Sequence, residues 1–384
     1  MKIAIAGCGI AGTAAGHLLA EAGHEVTLFE QAQKCEPIGA GIMLQPSGQA
    51  VLNRLGIASQ VEQRSARLEG LEARLASGRR LIRLDYAMYG EGTSAWGVHR
   101  GVLFDQLLRL CHVSGVQVHT SATVTDYRIH RDQVIVITES GEVDRRFDFL
   151  IAADGSRSRL REATNLSRTT IEYQYAALWT TGPCAAVTRR LEQVVQGTGK
   201  LAGLLPIGGG RCSFFWGLRR DRYQVLLEQG LQNWKTQVRK LCPASEELLE
   251  TIGSFEQLTF ATYRHVRMRR WHGDRVVFLG DAAHPSSPHL GQGVNLALED
   301  ALCFSKALAE SDSFHAACLQ YERQRRGKLR YYQQLTRLLT PFFQSDFGLL
   351  GLGRDVVLPW FPRIGWVRRS MLQTLCGLRS GWLG

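Results

Sequence analysis

Three glycine-marked segments recur near the start, the middle and the three-quarter point of this 384-residue chain. They begin at Ile3, Phe149 and Val276, and each opens with a short apolar run that predicts a buried parallel strand. Glycines directly after such strands permit tight turns and close approach of the backbone to a phosphate. One such segment is weak evidence, but three in this order predict a Rossmann-type α/β domain built around a dinucleotide.

The first segment has the spacing G-x-G-x-x-G at Gly7, Gly9 and Gly12, followed by an expected helix over residues 11–22. Gly7 permits the tight turn, and Gly9 lets backbone N–H groups approach a pyrophosphate. Gly12 lets the helix pack closely on the sheet. The next strand ends on Glu30, whose carboxylate can accept from ribose hydroxyls and would repel a 2′-phosphate. The segment therefore favours FAD or NAD over NADP. Its glycines also interrupt the N-terminal apolar stretch, which disfavours a secretory signal.

The third segment carries the most specific chemistry. Asp281 stands at the end of its strand, and the run Gly291-Gln292-Gly293-Val294-Asn295 opens a helix expected to reach about residue 309. Asp281 can bind a sugar or ribityl hydroxyl, while the N–H groups at a helix start can stabilise a delocalised anion such as a reduced flavin. The alternative is that Asp281 only caps a loop.

Composition limits the remaining possibilities. Hydrophobic residues make up 45% of the chain and charged residues 21%, which is typical of globular proteins, and no apolar stretch is long enough to span a bilayer. The nine cysteines are scattered, with no C-x-x-C pair and no Cys/His cluster at metal-binding spacing. We therefore expect free thiols, a cytoplasmic location and no metal site.

The net charge of +11 is concentrated at the C-terminus, where residues 321–384 contain eleven Lys and Arg against three Asp and Glu. A basic segment with interleaved Trp, Phe and Leu can lie on an anionic membrane surface, or it can form a helical layer over the core. Pro341, Pro359 and Pro362 are expected to break a long amphipathic helix, which favours the covering layer. No nucleic-acid-binding motif accompanies the charge.

Between the nucleotide-binding segments, residues 171–266 change character. Alternating runs predict a mainly antiparallel sheet, interrupted by a helix over 231–241, that caps the cofactor and forms a substrate pocket. We expect an FAD-binding domain, a substrate-binding sheet domain and a C-terminal helical segment. The FAD-binding domain is expected over 1–70, 98–170 and 267–325, and the substrate-binding sheet domain over 71–97 and 171–266. The C-terminal helical segment is expected over 326–384.

These residues together resemble the class A flavoprotein aromatic hydroxylases, the family of the para-hydroxybenzoate, salicylate and ubiquinone-biosynthesis hydroxylases. The similarity covers residues 1 to about 326 and rests on three motifs: the glycine fingerprint with Glu30, the Asp-Gly motif from Ala153 to Arg161, and the Gly-Asp motif from Gly280 to Pro285, followed by 291–295 and Glu299-Asp300. The run 38–42 is also typical of the hydroxylases, and the W-x-W-x-I-P string of flavin halogenases is missing from the sequence.

The resemblance implies a set of FAD contacts beyond those deduced above. Arg100 matches the family's FAD-contacting arginine, and Val124 the residue whose backbone meets the adenine. The full expected set is Gly7, Gly9, Ala11, Gly12, Glu30, Gly41, Arg100, Val124, Asp154, Gly155, Asp281, Gly291, Gln292, Gly293, Val294 and Asn295.

The implied activity is monooxygenation of an aromatic or polycyclic small molecule. NADH or NADPH reduces FAD, O₂ adds at flavin C4a, and one oxygen atom passes to the substrate. The resemblance places Pro285 near C4a and matches Arg161 to the arginine of the Asp-Gly motif. His99, His284 and His289 are candidate bases, of which we select His284.

Phe214, Phe215 and Trp216 are candidates for the pocket lining, but alternate strand residues face opposite sides of a sheet, so about half of them belong to the core. We select Phe214 and Trp216, together with Pro285. Two alternatives stay open. One is a membrane-peripheral hydroxylase of a prenylated quinone, and the other is a flavin-binding regulator without turnover. The oligomeric state is not indicated by the sequence.

Overall fold

The computed structural model describes residues 1–35 and 40–382. Within these ranges the strands, in chain order, are β1 (Lys2–Ala6), β2 (Glu25–Phe29), β3 (Gly41–Leu44), β4 (Ala66–Leu68), β5 (Gly70–Leu75), β6 (Arg80–Asp85), β7 (Ala95–His99), β8 (Gln117–His119), β9 (Val124–His130), β10 (Gln133–Thr138), β11 (Gly141–Phe147), β12 (Phe149–Ala152), β13 (Ser167–Pro183), β14 (Arg190–Gln196), β15 (Lys200–Gly208), β16 (Arg211–Arg219), β17 (Thr259–Met268) and β18 (Val276–Phe278).

The α-helices of the same ranges are α1 (Ile10–Glu21), α2 (Pro46–Arg54), α3 (Ala58–Glu62), α4 (Arg100–Val113), α5 (Arg159–Ala163), α6 (Tyr223–Gln229), α7 (Leu231–Leu241), α8 (Glu246–Glu250), α9 (Gly293–Glu310), α10 (Phe314–Phe343), α11 (Gly348–Val357) and α12 (Gly365–Leu375). The predicted helices near 11–22, 231–241 and 293–309 are confirmed by α1, α7 and α9. No helix among the described residues combines the length and the apolar character that a membrane crossing requires.

A five-stranded parallel sheet forms the centre of the first layer, in the order β18-β12-β1-β2-β8. Its three adjacent strands β18, β12 and β1 are short and almost wholly apolar because helices cover both faces, so both sets of alternating side chains are buried, whereas the edge strand β8 is largely exposed. The predicted strands of all three glycine segments are confirmed as β1, β12 and β18, and they are neighbours. Since parallel strands end at the same edge, the three glycine segments meet there.

A seven-stranded sheet forms the second layer, in the order β17-β13-β16-β15-β14-β5-β6. Its pairs are antiparallel except for β14 with β5, which confirms the expected mainly antiparallel sheet. One face, here called the helix-covered face, packs Leu178, Phe214 and Trp216 under α7 and α8. The other, here called the pocket face, carries Trp179 and Phe215, because successive side chains of a strand alternate.

A small sheet, β3-β7-β4, joins the two layers. The contact is close: a Cβ at Gly97 would collide with the carbonyl oxygen of Pro206 in β15, and one at Gly41 would lie 2.5 Å from Ile207. These positions require glycine for space, not for an unusual backbone angle. The small sheet thereby fixes the pocket face relative to the nucleotide-binding layer.

The remaining sheet, β11-β10-β9, differs from the sequence expectation. The apolar runs over 116–123 and 134–139 each predict a strand. The second is confirmed as β10, whereas β8 covers only Gln117–His119, and β9 and β11 are not indicated by the sequence. The side chains of β9 and β11 are mostly exposed and polar. Such strands lack the alternating apolar pattern on which a sequence prediction depends.

The C-terminal segment is helical, and its inner side covers the core as expected: Leu372, Leu375 and Cys376 are buried against the second layer. The expectation that proline prevents a long helix is wrong for Pro341. Helix α10 runs for 30 residues and includes Pro341 near its end. A proline in the last turn interrupts little of the hydrogen-bond ladder, so the helix continues for two residues.

Candidate active site

The first glycine turn has the geometry of a phosphate-binding loop. Gly7 has φ +103°, and a Cβ there would lie 2.5 Å from the carbonyl oxygen of Ala153. A Cβ at Gly12 would collide with the carbonyl oxygen of Gly7, so α1 packs closely on the turn. Gly9 is different, because no atom of the described residues lies within 4 Å of the place its Cβ would take. Helix α1 begins there with no side-chain cap, which leaves N–H donors for an anion.

The second and third segments lie against the first. The amide of Ala153 donates to the carbonyl of Ala6 (2.8 Å), and the amide of Leu279 donates to that of Ala152 (3.0 Å). Beyond these bonds, Gly155 has φ +82° and open space on its Cβ side. The three motifs are therefore brought together at one sheet edge.

Two acidic residues present carboxylate oxygens at this edge. The Glu30 carboxylate accepts from the amides of Cys8 (2.8 Å) and Ala32 (3.0 Å), which holds it beside the first turn. Asp154 accepts weakly from the amide of Leu160 (3.3 Å), while its Oδ1 is buried without a hydrogen-bond partner among the described residues. Burial raises the pKa of Asp154. An unpartnered buried oxygen fits a hydroxyl donor from a bound nucleotide.

Arg161 connects the Asp-Gly loop to the Gly-Asp loop. It is only 1% exposed, and its guanidinium donates to the carbonyls of Ser156 (2.8 Å), Ala282 (2.8 Å) and Asp281 (3.4 Å). Burial lowers the pKa of Arg161, although nearby carboxylates oppose this. With its donors directed at backbone carbonyls, Arg161 has the contacts of a positioning residue.

His284 belongs to a buried ionic network beneath the same loop. Its Nε2 lies 2.5 Å from Asp300 Oδ2, which also accepts from the amide of Gly280 (3.0 Å), and Arg325 Nε donates to Asp300 Oδ1 (2.7 Å). Burial alone would raise the pKa of Asp300, but the adjacent His284 and Arg325 lower it to about 2. The network ties α9 and α10 to the Gly-Asp loop, and the hydrogen bond to Asp300 orients the His284 ring.

The start of α9 offers backbone donors and few free side chains. Asn295 is fully buried, with its Nδ2 donating to Met43 (3.1 Å) and its Oδ1 accepting from Gln45 (2.9 Å). Gln292 donates to the carbonyl of Leu375 (2.8 Å). Gly291 has φ +59°, and Gly293 has open space at its Cβ. Helix α9 has no side-chain cap, so its first N–H groups can meet an anion, next to Val294.

Asp281 and Arg100 are exposed near these elements, and Val124 is buried at the start of β9. The backbone amide of Arg100 donates to the carbonyl of Ala40 (3.2 Å), which joins α4 to β3. Ala11, in the first turn of α1, is buried. Ile38 and Gly39 of the expected hydroxylase run lie outside the described residues.

Phe214 and Trp216 lie on the helix-covered face, where the Phe214 ring packs edge-on against Trp234. The pocket face instead presents Phe215, whose ring centroid is 5.1 Å from that of Trp179. Trp179 Nε1 donates to the Tyr263 hydroxyl (2.9 Å). The sequence names Phe215 as a candidate but does not select it, because the alternating run around 212–218 shows two faces without showing which one is covered. Trp179 and Tyr263 carry no local signal in the sequence.

The loop over 285–291 and the end of α10 lie above the pocket face. The carbonyl of Pro285 accepts from the amide of Val266 in β17, so Pro285 is buried against the sheet, while Pro288 is exposed. His289 Nδ1 is 2.8 Å from Ser287 Oγ, and its Nε2 has no partner among the described residues. His99, by contrast, caps α4 through the amide of Gly101 (3.2 Å).

The residues of this edge fit FAD. Two uncapped helix starts, open space at Gly9 and Gly293, and an unpartnered Asp154 oxygen match the phosphates, a delocalised flavin anion and the ribose or ribityl hydroxyls of such a cofactor. Among the described residues no group of three His, Cys, Asp or Glu side chains is placed to hold a metal ion.

Comparison with known proteins gives the same assignment. A family model described as FAD binding domain matches residues 1–329. The chain belongs to this family. Relatives include the FAD-dependent urate hydroxylase of Klebsiella oxytoca (29% identical over 350 residues, 86% of this chain and 87% of the relative) and the aurachin C monooxygenase/isomerase of Stigmatella aurantiaca (28% over 334 residues, 84% of each).

Among solved structures, the Klebsiella pneumoniae protein HpxO complexed with FAD and uric acid has the same fold (TM-score 0.82, 24% identity, 100% of this chain and 98% of that chain). Family and relatives confirm the resemblance: the chain is an FAD-dependent monooxygenase of the aromatic hydroxylase class, for which NADH or NADPH is the usual reductant. The two alternatives, a flavin-binding regulator and a prenylated-quinone hydroxylase, are not favoured.

Proposed function

We propose that this enzyme hydroxylates a small, planar aromatic or polycyclic compound held between the pocket face and the loop over 285–291, with NADH or NADPH and O₂ as co-substrates. The observation that supports this most is the Trp179–Phe215–Tyr263 cluster, which lies on the sheet face turned toward that loop. Aromatic side chains of this kind stack on planar ligands. Bound FAD would supply the redox chemistry, which is reduction by the nicotinamide cofactor and activation of O₂.

The chain's own residues hold the cofactor in this proposal. Gly7, Gly9, Ala11 and Gly12 place the start of α1 at the pyrophosphate, and Glu30 accepts from the adenosine ribose. Arg100 and Gly41 would also contact FAD, and the backbone of Val124 would meet its adenine. Asp281 and Asp154, the latter next to Gly155, accept from hydroxyls. The first N–H groups of α9, over 291–295, face the pyrimidine edge of the flavin.

For the substrate, His289 has better geometry than His284 as a hydrogen-bond acceptor. Burial lowers the pKa of His289 to about 4, so its ring is neutral near pH 7, and its Nε2 is unpartnered among the described residues. A neutral imidazole can accept a hydrogen bond from a phenol or ring N–H. His284 is held by Asp300, and we assign it and Arg161 to positioning of the Gly-Asp loop.

Two further points of the proposal concern the pocket and its surroundings. We assign substrate contact to Phe215 instead of Phe214 and Trp216, and the flavin-side proline to exposed Pro288 instead of buried Pro285. We propose the domain ranges given above, and a cytoplasmic location, since all nine cysteines are free thiols in the structure.

The test combines cofactor analysis with a pair of adjacent variants. The purified protein should be yellow, with about one non-covalent FAD per chain. A panel of planar aromatic acids, phenols and purines should include compounds that stimulate NADH or NADPH oxidation and yield a product heavier by one oxygen atom.

With such a substrate, Phe215→Leu should raise KM while leaving FAD content unchanged. The matched control Phe214→Leu changes the same residue type on the opposite face and should lower stability with little effect on KM. A larger KM effect from Phe214→Leu would contradict the assignment of the pocket face, and a protein that retains NAD but no flavin would contradict the proposed cofactor.

A further inference from the structure

Helix α11 has its apolar stripe on the outside. Leu349, Leu352 and Val356, spaced on one side of the helix, are exposed, and Leu349 is 82% exposed. The buried positions of this helix are Gly351, which packs on Thr198, and Arg354, which donates to the carbonyls of Phe342 and Gly197. A surface helix ordinarily turns its apolar stripe toward the core. Helix α11 does the reverse.

The apolar surface continues through the next two helices. A 3₁₀-helix over Leu358–Arg363 packs beside α11, and α12 packs against this 3₁₀-helix. This part of the chain exposes Trp360, Phe361, Ile364 and Trp366, the last 77% exposed. We call the exposed side chains Phe347, Leu349, Leu352, Val356, Val357, Trp360, Phe361, Ile364 and Trp366 the tail face. So many large apolar side chains within twenty residues are unusual for a surface that meets only water.

The charges at the tail face are cationic. Arg363, Arg368 and Arg369 form no ion pair with any described residue, and the Arg363 guanidinium lies 4.3 Å from the centroid of the Trp360 ring. The two acidic residues nearby are already neutralised: Asp355 by Arg354, and Asp346 by Arg219. The tail face therefore presents apolar side chains and unpaired arginines together.

We propose that the tail face docks on an anionic membrane surface. Trp and Phe suit the boundary between headgroups and acyl chains, and arginines beside them meet anionic lipid headgroups. A second copy of this chain fits less well, because a twofold contact through this face would bring the arginines of both copies together with no free carboxylate between them.

The location of the tail face gives the docking a consequence for the pocket. The segment that joins α10 to α11 contacts the pocket face: the Tyr175 hydroxyl donates to the carbonyl of Ser345 (3.1 Å), and Gln344 lies over Gly217. Docking through α11 would therefore place the mouth of the pocket close to the lipid surface.

Sedimentation of the full-length holoenzyme with vesicles tests the proposal. We expect binding to vesicles of phosphatidylcholine mixed with phosphatidylglycerol at low salt, weaker binding at physiological salt, and little binding to phosphatidylcholine alone. The triple variant Arg363→Gln, Arg368→Gln, Arg369→Gln should lower the partition coefficient on the order of 100-fold, as expected for three cations near an anionic leaflet.

The contribution of the apolar side chains is tested by the double variant Leu352→Ser with Trp366→Ser. It should reduce vesicle binding at least about 10-fold, because each change removes apolar area that docking would bury in the membrane. The matched control is Val113→Ser, which changes an exposed apolar residue on α4. FAD content and NADH oxidation with a water-soluble substrate should be unchanged in all variants, so these readouts keep the docking separate from the proposed chemistry.

Two results would overturn the proposal. The first is full-length, FAD-replete protein that does not sediment with anionic vesicles at low salt. The second is concentration-dependent dimerisation that Leu352→Ser with Trp366→Ser abolishes while vesicle binding is absent, which would assign the tail face to a second copy of the chain.

Discussion

The substitution Asp300→Asn should weaken both the fold and FAD binding. Asp300 is fully buried and accepts from Gly280, His284 and Arg325, with donors on both of its oxygens. An amide of the same size has one oxygen and one NH₂ group, so at least one donor would face another donor. The buried Arg325 would also lose one of its two carboxylates, since Glu299 is its other partner.

Two independent estimates of the free energy of unfolding that Asp300→Asn removes agree in magnitude. The native pKa of Asp300 lies at about 2, against an ordinary value of 3.8, and this difference corresponds to roughly 2–3 kcal/mol above pH 4. Breaking a buried ion pair costs about 3–5 kcal/mol, and the remaining Glu299 contact reduces that figure. Unfolding entropy of roughly 2 cal/mol/K per residue then converts about 2.5 kcal/mol into a fall of about 3 °C in Tm.

The sign of the pH dependence follows from the same pKa. Because the native value is lower than the unfolded one, the unfolded chain binds the proton first as pH falls. The stabilising contribution of Asp300 is therefore complete above about pH 4 and is lost as the pH falls toward 2. The wild type should lose stability across this window, and Asp300→Asn should show a shallower acid limb.

The assay is thermal unfolding of the apoprotein across this pH range, together with FAD titration near pH 7. Asp312→Asn, a change at an exposed position in the turn after α9, is the matched control and should change neither measurement. A Tm change below about 1 °C with an unaltered acid limb would refute the claim that Asp300 holds the Gly-Asp loop.

Four further outcomes can be measured. Asp281→Ala should weaken FAD binding with little change in Tm, measured by flavin fluorescence, because this exposed carboxylate supports no other described residue. Gly293→Trp should impair flavin reduction in stopped-flow experiments by filling the open space at the start of α9. His289→Ala should lower kcat for phenolic substrates without loss of FAD, and an unchanged kcat would count against its role. Deletion of residues 341–384 should lower solubility, because it exposes the apolar core residues of the second layer that Leu372 covers.

The nucleotide-binding layer could be predicted from the amino-acid sequence alone. The strands that open the three glycine segments are present as β1, β12 and β18, and these strands are neighbours in one sheet. This succeeded because the signals are local. A buried parallel strand is a continuous apolar run, and a turn that must pass close to another backbone requires glycine at a fixed position, as at Gly7 and Gly12.

Only the three-dimensional packing shows which side chains lie on each face of the second layer and which histidine is held by Asp300. Phe214 and Phe215 are the same residue type in adjacent positions, and only the packing of α7 and α8 shows which one is covered. His284 and His289 are likewise distinguished only by Asp300, which reaches the loop from α9. The side of α11 that faces solvent is likewise set by Arg354, which is buried and donates to the carbonyl of Phe342 near the end of α10. Each of these contacts joins residues distant in the chain, so no local pattern encodes it.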